Sequence, residues 1–126
     1  MKQVFQLTIA EPGNVDFEVV SGLKSSVGHQ RYSEIVEDVV FSLTDTITSL
    51  MNNTRAREFD HAKREAAKVG TIARQIGLNG VSRVAAAAQD CATRQEYTAL
   101  SAVSVRLARI AEHSLFSVIE FDAQAP

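Results

Sequence analysis

An all-α chain, folded as an antiparallel up-and-down four-helix bundle with an additional short N-terminal helix, is what this sequence predicts. Three observations carry that expectation. Pro12 and Pro126 stand near the two ends, so no proline between them removes a backbone donor from a helix. Apolar residues recur at steps of three and four through most of the chain, the spacing that lines one face of a helix. The segments so marked are joined by short turn-forming stretches, and helices with one apolar stripe each, connected closely, pack most simply as antiparallel neighbours.

The bulk properties agree. A chain of 126 residues is one domain, large enough to form a core without metal or disulfide support. With 45% hydrophobic and 22% charged residues it is too apolar for disorder. A formal net charge of -2 provides no general attraction to nucleic acid or to an anionic membrane, so either would need a local patch. Cys91 is the single cysteine and cannot form an intrachain disulfide, which suits a reducing compartment. No apolar run approaches the roughly 18 to 20 residues of a membrane span, and no signal-peptide pattern opens the sequence, so a cytoplasmic location and no membrane partner are expected. The expected divisions are an extended arm over 1–13, a helical bundle over 14–122 and a tail over 123–126.

In order, Met1 to Ala10 alternates Phe5, Leu7 and Ile9 with Gln6 and Thr8, a strand-like period of two with no second segment like it. Such an arm can pack on the bundle or pair with another copy, which leaves a homo-oligomer open. Glu11 to Asn14 reads as a turn with Asn14 capping a helix that ends near Gly28, and Phe17, Val20, Leu23 and Val27 form its buried stripe. His29 to Tyr32 reads as a connection. A long helix follows from about Ser33 to Met51, with Val36, Val40, Leu43, Ile47 and Leu50 inward and Glu34, Glu37 and Asp38 near its positive end. Asn52-Asn53-Thr54 ends it as a turn; the same triplet is formally a glycosylation acceptor, a role that needs a secretory signal.

The stretch from Glu58 to Gly80 is the most informative. Phe59, Ala62, Ala66, Val69, Ala73 and Ile76 form one inward stripe, and Gly77 closes the helix in a left-handed conformation with Leu78 folding back. At 100° per residue, Asp60, Arg64, Ala67, Thr71 and Arg74 face outward with Lys63 and Lys68 at the flanks, so a basic face surrounds one alanine. Asn79 is then expected to cap a helix with Val81, Val84, Ala88 and Cys91 along one side, where the four alanines from Ala85 to Ala88 allow close approach. Thr93 and Glu96 have capping-box spacing and open a last helix to about Phe121, with Leu100, Val103, Leu107, Ile110 and Val118 inward.

This central helix resembles the histidine-containing phosphotransfer (HPt) family, four-helix modules that pass a phosphoryl group between aspartates of response-regulator receiver domains. The family's helix reads His, two residues, Lys, Gly and a small residue, and then a Leu-Gly that closes it. Ile76-Gly77 matches the closing pair, Ala73 the small residue before it and Val69 the apolar residue inside it. The acceptor histidine falls on Ala67, the lysine on Gly70 and the glycine on Thr71. With the order and lengths of the flanking helices, the resemblance covers about nine-tenths of the chain. It implies a degenerate HPt-like module that binds a receiver domain or histidine kinase, and not an enzyme. Lys63, Arg64, Ala67, Lys68, Gly70, Thr71 and Arg74 form the implied docking face, with Ala67 and Gly70 expected to face solvent. An alanine methyl cannot form the phosphoramidate that an imidazole nitrogen forms, and Lys68 is a protonated ammonium about 100° round the helix from Ala67.

No other constellation is a site. His29, His61 and His113 are far apart, with no His-x-x-x-His, Cys-x-x-Cys or Glu-x-x-His pair, so neither a metal nor a cofactor is expected. His61 lies about 120° and roughly 9 Å from position 67 and cannot replace the acceptor. His113, near Ile110, reads as a packed histidine and Cys91 as an inert thiol. Gly70, Gly77 and Gly80 lack phosphate-loop spacing, and Glu37 and Asp38 lie on a solvated side. The alternative reading is a DNA-binding helix-turn-helix over residues 71–88, from the spacing of Ala73 and Gly77. Against it, Arg83 stands where the second helix needs an apolar lock, and the alanines stand where base-reading side chains belong.

Overall fold

The computed structural model describes residues 14–124, and their side chains through Phe121. The expected arm over 1–13 and the last two residues of the expected tail lie outside that range. The elements are α1 (Phe17–Val27), α2 (His29–Arg55), α3 (Phe59–Gln75), α4 (Asn79–Thr93) and α5 (Tyr97–Gln124). The chain is all-helical over the described residues, and its only extended pairing there is a bridge between Val15 and Leu78. None of these helices is long and apolar enough to cross a membrane.

Several boundaries differ from the sequence expectation, each for a local reason. Asp16, not Asn14, caps α1, its Oδ1 accepting from the amides of Glu18 at 3.1 Å and Val19 at 3.3 Å. Gly28 at φ +88 ends α1 and begins α2 in a single residue, so His29 to Tyr32 are helical and not a connection. A non-glycine side chain would resist that conformation. Asn52-Asn53-Thr54 does not end α2, because the helix itself satisfies these polar side chains. The buried Thr54 hydroxyl donates to the Leu50 carbonyl at 2.8 Å, and Asn53 Nδ2 donates to Ser49 Oγ at 3.4 Å. Asn79 is the first residue of α4 rather than its cap, and Leu78 takes the cap position without a side-chain bond. Thr93 closes α4 with its hydroxyl on the Gln89 carbonyl at 2.9 Å, so no capping box opens α5. The helix continues through Gln124, past the expected start of the tail.

The turns after α2, α3 and α4 share one closure, in which a left-handed residue lets a later amide reach back to the last helical turn. Those residues are Arg57 at φ +57, Gly77 at φ +77 and Gln95 at φ +58. Behind them, Glu58 N donates to Asn53 O at 2.9 Å, Leu78 N to Ala73 O at 2.9 Å and Glu96 N to Cys91 O at 3.0 Å. Gly77 and Leu78 behave as their sequence predicts. The other two turns use a longer side chain in a conformation that costs about 1 to 2 kcal/mol in an L-residue.

Packing follows the stripes. Helix α2 lies against α3 and α5, α4 lies against α3 and α5, and α1 packs chiefly on α2. Leu43, Leu50, Val69, Val81, Leu100, Leu107 and Val118 are fully buried between them. Each such side chain stabilises the fold by roughly 1.5 to 3 kcal/mol relative to exposure. Ala62, Ala66 and Ala73 on α3 and Ala85 and Ala88 on α4 are all buried, and Ala85 lies against Gly70 where the two helices meet; side chains this small let two helices approach closely. Helix α1 buries Val20 alone. Phe17, expected inside, is 42% exposed and rests its ring 5.3 Å from that of Phe121.

Candidate docking face on helix α3

The inward stripe of α3 sets its outer face. With Ala62, Ala66, Val69 and Ala73 buried, Lys63, Arg64, Lys68, Thr71 and Arg74 are exposed and Ala67 is half-buried among them. Arg64 Nη2 stands 2.8 Å from His61 Nδ1; a guanidinium only donates, so that ring nitrogen accepts. The Thr71 hydroxyl donates to the Ala67 carbonyl at 3.1 Å and accepts from Arg74 Nη2 at 3.4 Å. Lys63 and Lys68 extend from the surface without a hydrogen bond or ion pair among the described residues.

Gly70 departs from the expected layout. It is buried, not solvent-facing, because two groups close over it: a Cβ there would stand 3.3 Å from Arg74 Nη1 and 3.8 Å from the Ala85 Cβ on α4. Arg74 also donates to Ser82 Oγ on α4 at 3.4 Å. Its guanidinium therefore lies across the α3–α4 seam and presents its charge above the glycine. The arrangement offers a cationic rim around a small side chain, suited to meeting an anionic surface, with no nucleophile at its centre.

The remaining candidates lie apart from this face. His113 is exposed rather than packed: it sits beside, not on, the buried line of Leu107, Ile110, Ser114 and Val118. Cys91 is half-buried, and its thiol is raised above the ordinary value by burial first and by the Glu96 and Asp90 carboxylates next, with Arg94 opposing. Among the described residues, no three His, Cys, Asp or Glu side chains gather as a metal site requires. In the 71–88 segment, Arg83 is engaged by the chain's own N-terminal side. With the Asn14 amide oriented so that its oxygen faces the guanidinium, Arg83 Nη1 donates to it at 3.0 Å and Nη2 donates as well. Besides Arg83, the exposed residues of α4 are Asn79, Ala86, Ala87, Asp90 and Thr93; only Asn79, the first residue of the helix, is of the Arg, Asn or Gln type that reads a base edge bidentately, and the alanines fill the middle of the face.

Neither a family model, nor a curated protein, nor a solved structure matches this chain.

A second surface feature, not anticipated from residue spacing, lies between α2 and α5. Phe41 on α2 is 73% exposed and Phe116 on α5 is 61% exposed, flanking an apolar groove between those helices. The available signal was their position, since each is a large aromatic residue set off the inward stripe of its helix.

Proposed function

We propose that the protein is an HPt-like docking module of a two-component phosphorelay in the cytoplasm, binding a receiver domain or a histidine kinase through α3 without carrying the phosphoryl group itself. The observation that carries this reading is the placement of Arg74 over Gly70. At the position where the resembled motif has its lysine, the charge comes instead from a guanidinium four residues along, while Ala67 beside it has no nucleophile. The cationic surface persists without the acceptor. Receiver domains present an acidic, Mg²⁺-binding active site, and Lys63, Arg64, Lys68 and Arg74 complement it by steering and rim pairing. Tight closures at the three turns, together with the packing order of α2 to α5, support an antiparallel up-and-down bundle with α1 across one end.

The test is titration of a receiver domain against the wild type and the double variant Arg64→Glu with Lys68→Glu. The variant is expected to bind about 1 to 3 kcal/mol more weakly, mainly through slower, salt-sensitive association. Its stability is expected to stay within about 0.5 kcal/mol, as for exposed positions generally. Unchanged binding would reduce the basic face to solvated surface.

A further inference from the structure

A groove runs between α2 and α5 on a different side chain set from the α3 face. Val40, Ile47 and Met51 form one wall and Ala108, Leu115 and Ile119 the other. It continues past Ile119 toward Val36 and Phe41. From Val36 to Met51 the α2 wall measures about 22 Å, four helical turns. Phe41 and Phe116 stand at its lips.

Charge specifies what fits. Two charged side chains line the groove, Glu37 at one end and Glu112 on the α5 wall, and both are carboxylates. An apolar trough of this length accepts a helix that lays down residues at i, i+3, i+4 and i+7. Carboxylates at its edge favour basic residues flanking that stripe and oppose acidic ones. The same carboxylates disfavour an anionic lipid surface.

We propose that the α2–α5 groove is a second docking site, for an amphipathic helix of about four turns with an apolar stripe and Lys or Arg beside it. The inference is independent of the α3 reading, since it uses neither the basic face nor Ala67. Partner selection at this site comes from Glu37 and Glu112, and burial of Phe41 and Phe116 supplies its apolar contact.

The experiment uses the full chain and two labelled synthetic 18-residue helical peptides with the same leucine stripe, one flanked by lysines and one by glutamates. The lysine peptide is expected to bind at least tenfold more tightly. Glu112→Lys should weaken it at least fivefold, whereas Asp90→Lys on α4, the same change in net charge, should not. Phe116→Asp should abolish binding with the thermal transition retained. Equal binding of the two peptides, or equal losses from Glu112→Lys and Asp90→Lys, would overturn the proposal. So would lysine-peptide binding that appears only in Phe5→Asp with Leu7→Asp, which would make the chain's own N-terminal segment the occupant. A concentration-dependent dimer dispersed by Phe116→Asp would assign the groove to a second copy and overturn it equally.

Discussion

Arg74 lies over Gly70, its Nη1 3.3 Å from the point that a Cβ on Gly70 would occupy. The two residues are one turn apart on α3, and the glycine leaves the space that the guanidinium covers on its way to Ser82. Position 70 is thereby closed to solvent.

Substitution at Gly70 should depend on side-chain length. Gly70→Ala meets only the movable end of Arg74 and an ordinary contact with Ala85, while alanine favours a helix interior by roughly 0.8 to 1 kcal/mol. Denaturant unfolding is expected to show no loss of stability. Gly70→Lys must displace Arg74 at a buried position and should cost about 1 to 3 kcal/mol. Equal stabilities for the two variants would contradict the burial of this residue.

Two left-handed turn residues should respond with opposite signs. Gly77→Ala adds a Cβ 3.0 Å from both the Asp16 carbonyl and the Val19 Cβ at φ +77, so it should cost about 2 to 3 kcal/mol and loosen α1. Gln95→Gly removes the left-handed penalty at φ +58, with a net gain of about 0.5 to 1 kcal/mol once the freer unfolded chain is counted. Urea midpoints for both, moving in opposite directions, are the expected result.

Cys91 should alkylate slowly at neutral pH. Burial and the neighbouring carboxylates of Glu96 and Asp90 hold its thiol above the ordinary 9.0, and the thiolate is the reacting form. The rate of iodoacetamide modification should rise with a midpoint above that of free cysteine. Because the folded state keeps this proton more tightly than the unfolded one, its contribution to stability is present at neutral pH and fades as pH climbs beyond 9.0. A profile at or below that of the free thiol would contradict the surroundings described for it.

Arg83→Glu separates docking from duplex recognition. Loss of its bonds to Asn14 should lower stability by about 1 kcal/mol, the ordinary range for a hydrogen bond at a surface. Receiver binding should be unchanged. Titration against mixed-sequence duplex at two salt concentrations is the control: a large, salt-dependent loss there would put the helix-turn-helix reading ahead.

Incubation with a phosphorylated receiver domain and Mg²⁺ should leave no acid-labile phosphate on the protein, because no imidazole stands at position 67. Stable label on His29, His61 or His113 would remove the non-carrier part of the proposal.

Residue spacing by itself determined the presence and order of the helices though not all of their ends, the stripe from Phe59 to Ile76 whose members from Ala62 on are buried, the closure at Gly77 and the outward set around Arg64, Lys68 and Arg74. All of these are local, because a helix turns by a constant angle and a glycine's freedom belongs to one residue. Only the tertiary structure decided that Gly70 is covered, that Gly28 joins two helices without a connection and that His113 faces outward. It also decided that Phe41 and Phe116 border an open groove. Periodicity assigns a direction to each side chain, but whether anything covers a residue off the main stripe depends on how closely the next helix approaches. At Gly70 the cover comes from Ala85 of α4 and the reach of Arg74, and between α2 and α5 the packing left the aromatic flanks uncovered.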